Sequence, residues 1–159
     1  MAKVIMICGR ICCGKSTYAH KLRIQHKAVI LSADEIMLAL LPPYLGDRHE
    51  EYVEKTQNYL FNKAAEIANT GIDVILDWGF WSDDERQNAK QFFSRRNIKC
   101  ELHYLALSDT EWQTRIEKRN TAVSAGDPGA YYVDENLANK CLARFQPPQP
   151  QEIDVLIQR

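Results

Sequence analysis

Gly9-Arg10-Ile11-Cys12-Cys13-Gly14-Lys15-Ser16 is the stretch that decides how the chain is read. Just before it, Lys3-Val4-Ile5-Met6-Ile7-Cys8 is almost continuously apolar, as expected of a strand buried on both faces in a parallel sheet. Just after it, Thr17 to Ile24 reads as a helix. A strand, a turn bounded by two glycines and a helix, in that order, make an anion site. Successive backbone N–H groups point into the turn, and the helix N-terminus adds partial positive charge. The spacing assigns Gly9, Arg10, Ile11, Cys12, Cys13, Gly14, Lys15, Ser16 and Thr17 to a phosphate-binding loop, a P-loop. Lys15 is expected to reach the β- and γ-phosphates of a bound nucleotide, and the Ser16 hydroxyl to hold Mg²⁺.

Outward from the loop, strands and helices alternate. Ala28 to Ser32 reads as a second strand that opens onto Asp34, at the carboxyl edge where α/β sheets bind ligands. A short helix follows to Leu41 and stops at Pro42-Pro43. Tyr44 to His49 reads as a loop, and Glu50 to Asn69 as a long helix closed by Gly71. Ile72 to Asp77 is a third strand ending in a second carboxylate, followed by an aromatic turn, Trp78-Gly79-Phe80-Trp81. Ser82 is a good N-cap for a helix to about Arg96. Cys100 to Leu107 gives a fourth strand, and Ser108 with Glu111 a capping box for a helix to about Asn120. Thr121 to Ala130 reads as a mobile polar loop, Asp134 to Phe145 as a last amphipathic helix, and Ile153 to Ile157 as a fifth strand. This order predicts one α/β domain over residues 1–159 with a five-stranded parallel sheet and right-handed crossovers.

Composition narrows the function. Twenty Lys and Arg stand against 21 Asp and Glu, so no basic excess announces a nucleic-acid binder. No apolar stretch approaches a membrane span, and the N-terminus begins directly with a strand and lacks the marks of a secretory signal. The five cysteines form neither a CxxC pair nor an even framework, which reads as reduced thiols and a cytoplasmic protein. Cys12 and Cys13 fill loop positions where nearby positive charge favours a thiolate, which makes oxidation-sensitive binding a possibility to test.

The P-loop, an Asp after strand two, an Asp after strand three, and Arg115 and Arg119 on a helix leading into a polar loop together resemble the small P-loop kinases. The similarity is greatest to the AAA-type group that includes chloramphenicol phosphotransferase, zeta-toxin-like kinases and the kinase domain of polynucleotide kinase. Shikimate and gluconate kinases are more distant members of the same fold class. The resemblance spans nearly the whole chain and implies a P-loop NTPase fold with an acceptor-side insert at about 35–70 and a lid at about 115–132.

Carried over position by position, the resemblance implies that Asp34 orients or deprotonates an acceptor hydroxyl and that Asp77 holds Mg²⁺ with Ser16. Arg115 and Arg119 would neutralise charge on the transferring phosphoryl group. Three of these have a plainer reading: Asp34 as a helix cap, Asp77 as a cap or turn residue, and Arg115 as an ion-pair partner of Glu111. Trp78, Phe80 and Trp81 either stack on an acceptor or simply cover the sheet end, and Arg48 and His49 either contact an anionic acceptor or lie in solvent. The expected activity is an ATP-dependent kinase acting on a hydroxyl of a small molecule. A polynucleotide 5′-hydroxyl kinase is one alternative, although Glu35-Ile36-Met37-Leu38 stand where polynucleotide kinases usually have an arginine. An ATP-binding switch or ATPase is the other. The acceptor's identity and the oligomeric state are not written in these residues.

Overall fold

The structure is a computed structural model, and residues 1–42, 45–127 and 132–158 are described. Five parallel strands form one sheet: β1 (Lys3–Cys8), β2 (Val29–Leu31), β3 (Val74–Leu76), β4 (Lys99–Ala106) and β5 (Val155–Gln158), in the order β2-β3-β1-β4-β5. The helices are α1 (Lys15–His26), α2 (Ala33–Leu40), α3 (His49–Asn69), α4 (Asp83–Ser94), α5 (Asp109–Ser124) and α6 (Glu135–Arg144). All five strands lie where the sequence predicts them.

Alternation along the strands splits the core into two layers. Val4, Met6, Cys8, Val74 and Leu76 face Leu60, Ala64 and Ala68 of α3 and Ala89 and Phe93 of α4. Ile5, Ile7, Ile75 and Leu105 face Tyr18, Ala19 and Leu22 of α1. Because β1 and β3 are covered on both sides, their apolar side chains are buried, which explains the unbroken apolar runs in the sequence.

Several boundaries differ from the sequence reading. The first helix starts at Lys15 and runs to His26, two residues longer at each end than expected. The fourth connection changes more. Helix α5 continues to Ser124, four residues past the expected end at Asn120, because nothing before Gly126 breaks it. Gly126, at φ 98°, then turns the chain and returns its N–H to Val123 O at 3.0 Å. The expected mobile loop therefore shrinks, and Asn120 fastens its far end through paired 2.7 Å hydrogen bonds with the backbone of Val133. Residues 128–131 of the expected lid, and Pro43 and Tyr44 of the expected insert, lie outside the described residues.

At the N-terminus of α5 the predicted capping box is half made. Ser108 Oγ accepts from Glu111 N, but the Glu111 carboxylate turns to Arg115, 3.0 Å away. At the start of α4 the box is complete, with Ser82 and Glu85 each bonding the other's backbone N–H. Among the described residues no helix is long and apolar enough to cross a membrane.

Beneath α1, a buried polar row crosses β4 and β1: Tyr18 Oη meets His103 Nδ1 at 2.9 Å, and Glu101 accepts from Lys3 Nζ at 2.6 Å. Burial alone pushes the Glu101 carboxyl up, but hydrogen bonds from Lys3, Lys99 and His103 outweigh it and bring it down to about 2. Burial pushes the His103 imidazole below its ordinary 6.5, against the pull of Glu101. Both groups hold fewer protons folded than unfolded at acid pH, so both contribute stability at neutral pH that is lost on acidification. The loss begins as pH falls below 6.5 for His103, and below 4.5 towards about 2 for Glu101. Thermal melts across the acid range are expected to show Tm falling in this sense, and Glu101→Gln should flatten the lower limb.

Candidate active site

The carboxyl ends of β1, β2 and β3 are in register, with Leu31 and Met6 both opposite Leu76. The segments that leave these strands therefore emerge on one edge: the P-loop after β1, Ser32 to Asp34 after β2, and Asp77 after β3. Asp77 N donates to Leu31 O at 2.9 Å, which keeps the last two abreast. A cleft of about 2300 Å³ opens over this edge.

Its phosphate end is built from backbone. Cys12 and Gly14, at φ 62° and 90°, are both left-handed, a conformation that turns successive amides into a concave nest. Gly9 is required by space: a Cβ there would fall 2.4 Å from Cys13 Sγ. The N-termini of α2, α4, α5 and α6 are capped by Ser32, Ser82, Ser108 and Asp134, each with acid in the first turn. Helix α1 has neither a capping side chain nor an acid, so its N–H groups and partial positive charge are left for a ligand. Lys15 Nζ lies across the loop on Arg10 O (2.8 Å) and Gly9 O (3.3 Å), with a longer contact to Cys13 Sγ at 4.0 Å.

Of the residues assigned to the loop, Ile11, Cys12, Gly14, Lys15, Ser16 and Thr17 line the cleft, while Gly9, Arg10 and Cys13 are not part of its lining. Arg10 points away, pairing with Asp109 at 2.7 Å and lying 5.4 Å from the Trp112 ring centre. On the lid side, Arg119 donates to Cys12 Sγ at 3.0 Å, and Arg115 makes the ion pair with Glu111. Both arginines line the cleft with Lys118.

Asp34 and Asp77 line the same cleft. Burial pushes the Asp77 carboxyl up; a hydrogen bond from Ser16 and the charge of Lys15 oppose this, and the charge of Asp34 adds to it. The two carboxylates are thus close enough to feel each other. Asp34 is not the cap of α2: Ser32 Oγ accepts from Glu35 N, which leaves the Asp34 side chain to the cleft.

The aromatic turn mostly covers the sheet end. Trp78 and Phe80 are buried and stack at 4.9 Å, while Trp81 Nε1 donates to Gly9 O at 3.1 Å. Arg48, just before α3, turns onto Glu51 and the Tyr52 ring of that helix, whereas His49 lines the cleft. The far half of the cleft carries Met37, Leu38, Leu41 and Val53 beside Asp34, Glu35, Glu50 and Glu54, with Arg144 paired to Glu50 at 2.6 Å. The cleft is therefore basic at the loop and lid, and acidic and apolar at α2 and α3.

Sequence reasoning missed Arg86, Trp112 and Asn120. Arg86 is 1% exposed and binds Glu152, Phe80 O and Gln146 O. Its position one turn into an exposed-looking helix gave no sign of burial.

A family model described as an AAA domain matches residues 4–148. No curated protein sequence matches the chain. Among solved structures, a putative kinase from Chloroflexus aurantiacus is similar, with a TM-score of 0.71 and 20% identity, over 99% of this chain and 86% of that one. An unliganded sugar kinase from Janibacter sp. gives 0.68 and 16%, over 99% and 86%. The Mycobacterium tuberculosis APS kinase CysC, solved with AMPPNP and APS, gives 0.67 and 17%, over 99% and 88%. At these identities the likeness establishes a common fold, that of an α/β P-loop NTPase.

Proposed function

The chain belongs to the AAA domain family, and from that premise we propose that it is an ATP-dependent kinase that phosphorylates a hydroxyl of a small molecule. The observation that carries this reading is the Asp34 carboxylate, free of the capping role and facing the same cleft as the phosphate loop. A nucleotide-driven switch needs the loop and a metal ligand; a second carboxylate beside a roomy pocket suits a reaction with an acceptor.

In this reading the loop amides and Lys15 bind the β- and γ-phosphates, and Arg115, Lys118 and Arg119 offset charge on the transferred group. The acceptor oxygen forms the new bond to the γ-phosphorus, the bond from that phosphorus to the β,γ-bridging oxygen breaks, and ADP leaves with the electron pair. The acceptor proton passes to Asp34. The Ser16 hydroxyl and Asp77 carboxylate are hard oxygen donors that line the same cleft, a donor set that fits Mg²⁺. When bound, that ion would help neutralise the phosphate charge. One domain serves both halves, with the insert at about 35–70 as the acceptor side and the segment at about 115–132 as the lid.

Charge bears on the acceptor. A polynucleotide approaching Asp34 would meet Glu35, Glu50 and Glu54, with Arg144 already paired, so a small neutral or amine-bearing alcohol suits the wall better than a phosphodiester chain. The test is ATP consumption with Mg²⁺, with and without hydroxyl-bearing metabolites, nucleosides, antibiotics and 5′-hydroxyl oligonucleotides. The expected result is a large increase with one class of small molecule and a phosphorylated product. Stimulation by oligonucleotides alone would overturn the acceptor assignment, and tight ATP binding with no stimulated turnover would favour the switch.

A further inference from the structure

Two indoles grip the phosphate loop by its carbonyls. Trp81 Nε1, from the turn after β3, donates to Gly9 O at 3.1 Å; Trp112 Nε1, from the first turn of α5, donates to Ile11 O at 2.7 Å. A trans peptide points the C=O of one residue and the N–H of the next in opposite directions. Whatever holds the Gly9 and Ile11 carbonyls therefore also aims the Arg10 and Cys12 amides. Trp112 is buried outside the cleft, whereas Cys12 lines it, so drawing the Ile11 carbonyl back turns the Cys12 N–H forward.

The local backbone is arranged to present Trp81. A Cβ on Gly79 would fall 2.1 Å from Trp81 Nε1, so only glycine lets the ring lie against that backbone. Gly79 O also accepts from Gly9 N at 3.3 Å, so one turn holds both polar backbone groups of Gly9. Between them Phe80 takes a left-handed φ of 46°, an unfavourable conformation for a residue with a side chain. Its carbonyl is fixed there by Arg86 at 3.1 Å and Cys8 Sγ at 3.4 Å. Trp81 and Lys15 then converge on the same Gly9 carbonyl.

We propose that Trp81 and Trp112 are positioning residues of the nucleotide site: Trp112 sets the peptide plane that turns the Cys12 amide towards bound phosphates, and Trp81 fixes the Gly9 carbonyl on which the phosphate-binding Lys15 is seated. This rests on the nucleotide-binding part of the function proposed above. It also ties the loop to both sides of the reaction: Trp81 lines the cleft next to the acceptor half, and Trp112 belongs to the helix that carries Arg115 and Arg119.

Calorimetric binding of Mg²⁺·AMPPNP and of tripolyphosphate to Trp81→Phe and Trp112→Phe tests it. Losing one ordinary hydrogen bond that orients the loop should weaken each ligand by about three- to tenfold in each variant. The same factor is expected for both ligands, because the effect lies on phosphate and not on the nucleoside. Melting temperatures should stay within about 4 °C of wild type. If a Phe variant fails to fold, 3-benzothienylalanine at that position keeps the two-ring outline without the N–H. Affinities within about twofold of wild type in both variants would overturn the proposal, as would weakening of AMPPNP without weakening of tripolyphosphate. If wild-type protein bound neither ligand, the nucleotide reading itself would fall and take this proposal with it.

Discussion

Arg86→Met is expected to lower the unfolding free energy by about 3–5 kcal/mol, the range for removing one partner of a buried ion pair. In a chain of 159 residues that corresponds to a drop in Tm of roughly 10 °C. The guanidinium is almost wholly out of water. It forks onto Glu152 at 2.9 and 3.3 Å and donates to Phe80 O at 3.1 Å and Gln146 O at 2.8 Å. Through these bonds one side chain of α4 joins the turn after β3 to the segment that leads into β5. Methionine fills much of the volume but leaves Gln146 O without its donor, Phe80 O with only the Cys8 thiol, and Glu152 with the Gln149 N–H but no guanidinium. The Arg86 hydrogen bonds also hold the Glu152 carboxyl below its ordinary range, so part of the loss should recur when Glu152 alone is changed to Gln. Urea denaturation with an unchanged slope would measure the effect. A loss below about 1 kcal/mol would mean that Arg86 finds no net stabilisation where it lies.

That residue also marks where the sequence stops being legible. Strand β1, the glycine spacing of the P-loop and the carboxylates after β2 and β3 could be read because each obeys a local rule: an apolar run of strand length, a required turn, a strand end. Ser82 was readable as a cap for the same reason. Arg86, a turn further on, was not, because its meaning lies in Gln146 and Glu152, 60 and 66 positions away. The paired bonds of Asn120 with Val133 were hidden likewise, and so was the true end of α5, where tolerable helix formers continue the helix through Ser124.

At the site, the types of residue were legible but their directions were not. The pattern gave Arg10 a place in the nucleotide loop, yet its side chain turns back to Asp109. It offered Asp34 as a cap, yet Ser32 performs that task. It treated the aromatic turn as a cover for the sheet end or a stacking surface; Trp78 and Phe80 are buried there, while Trp81 reaches the loop carbonyl. Side-chain direction depends on partners that the fold brings together, and no spacing rule encodes them.

Under the proposed kinase reading, Asp34→Asn should slow phosphoryl transfer by about a hundred- to ten-thousand-fold, the span of general acid–base assistance. Asparagine keeps the shape and can still hydrogen-bond a hydroxyl, but it does not accept the proton released when that oxygen attacks phosphorus. Nucleotide affinity should hold or rise slightly. The Asp34 charge helps to push the Asp77 carboxyl up, so removing it favours the ionised form of Asp77 beside Ser16. Stability should change little, because Ser32 retains the helix cap and an acid in the first turn of α2 contributes only about 0.3–1 kcal/mol. Lys15→Met is the contrasting variant: it removes the ammonium that spans the loop carbonyls and should weaken nucleotide binding and turnover together. Single-turnover transfer to the acceptor identified by the ATP-consumption panel, alongside AMPPNP binding, separates the two patterns. If Asp34→Asn transferred phosphate at the wild-type rate, Asp34 would have no catalytic role. If it lost AMPPNP affinity as Lys15→Met does, its carboxylate would belong with the nucleotide and metal groups and not with the acceptor.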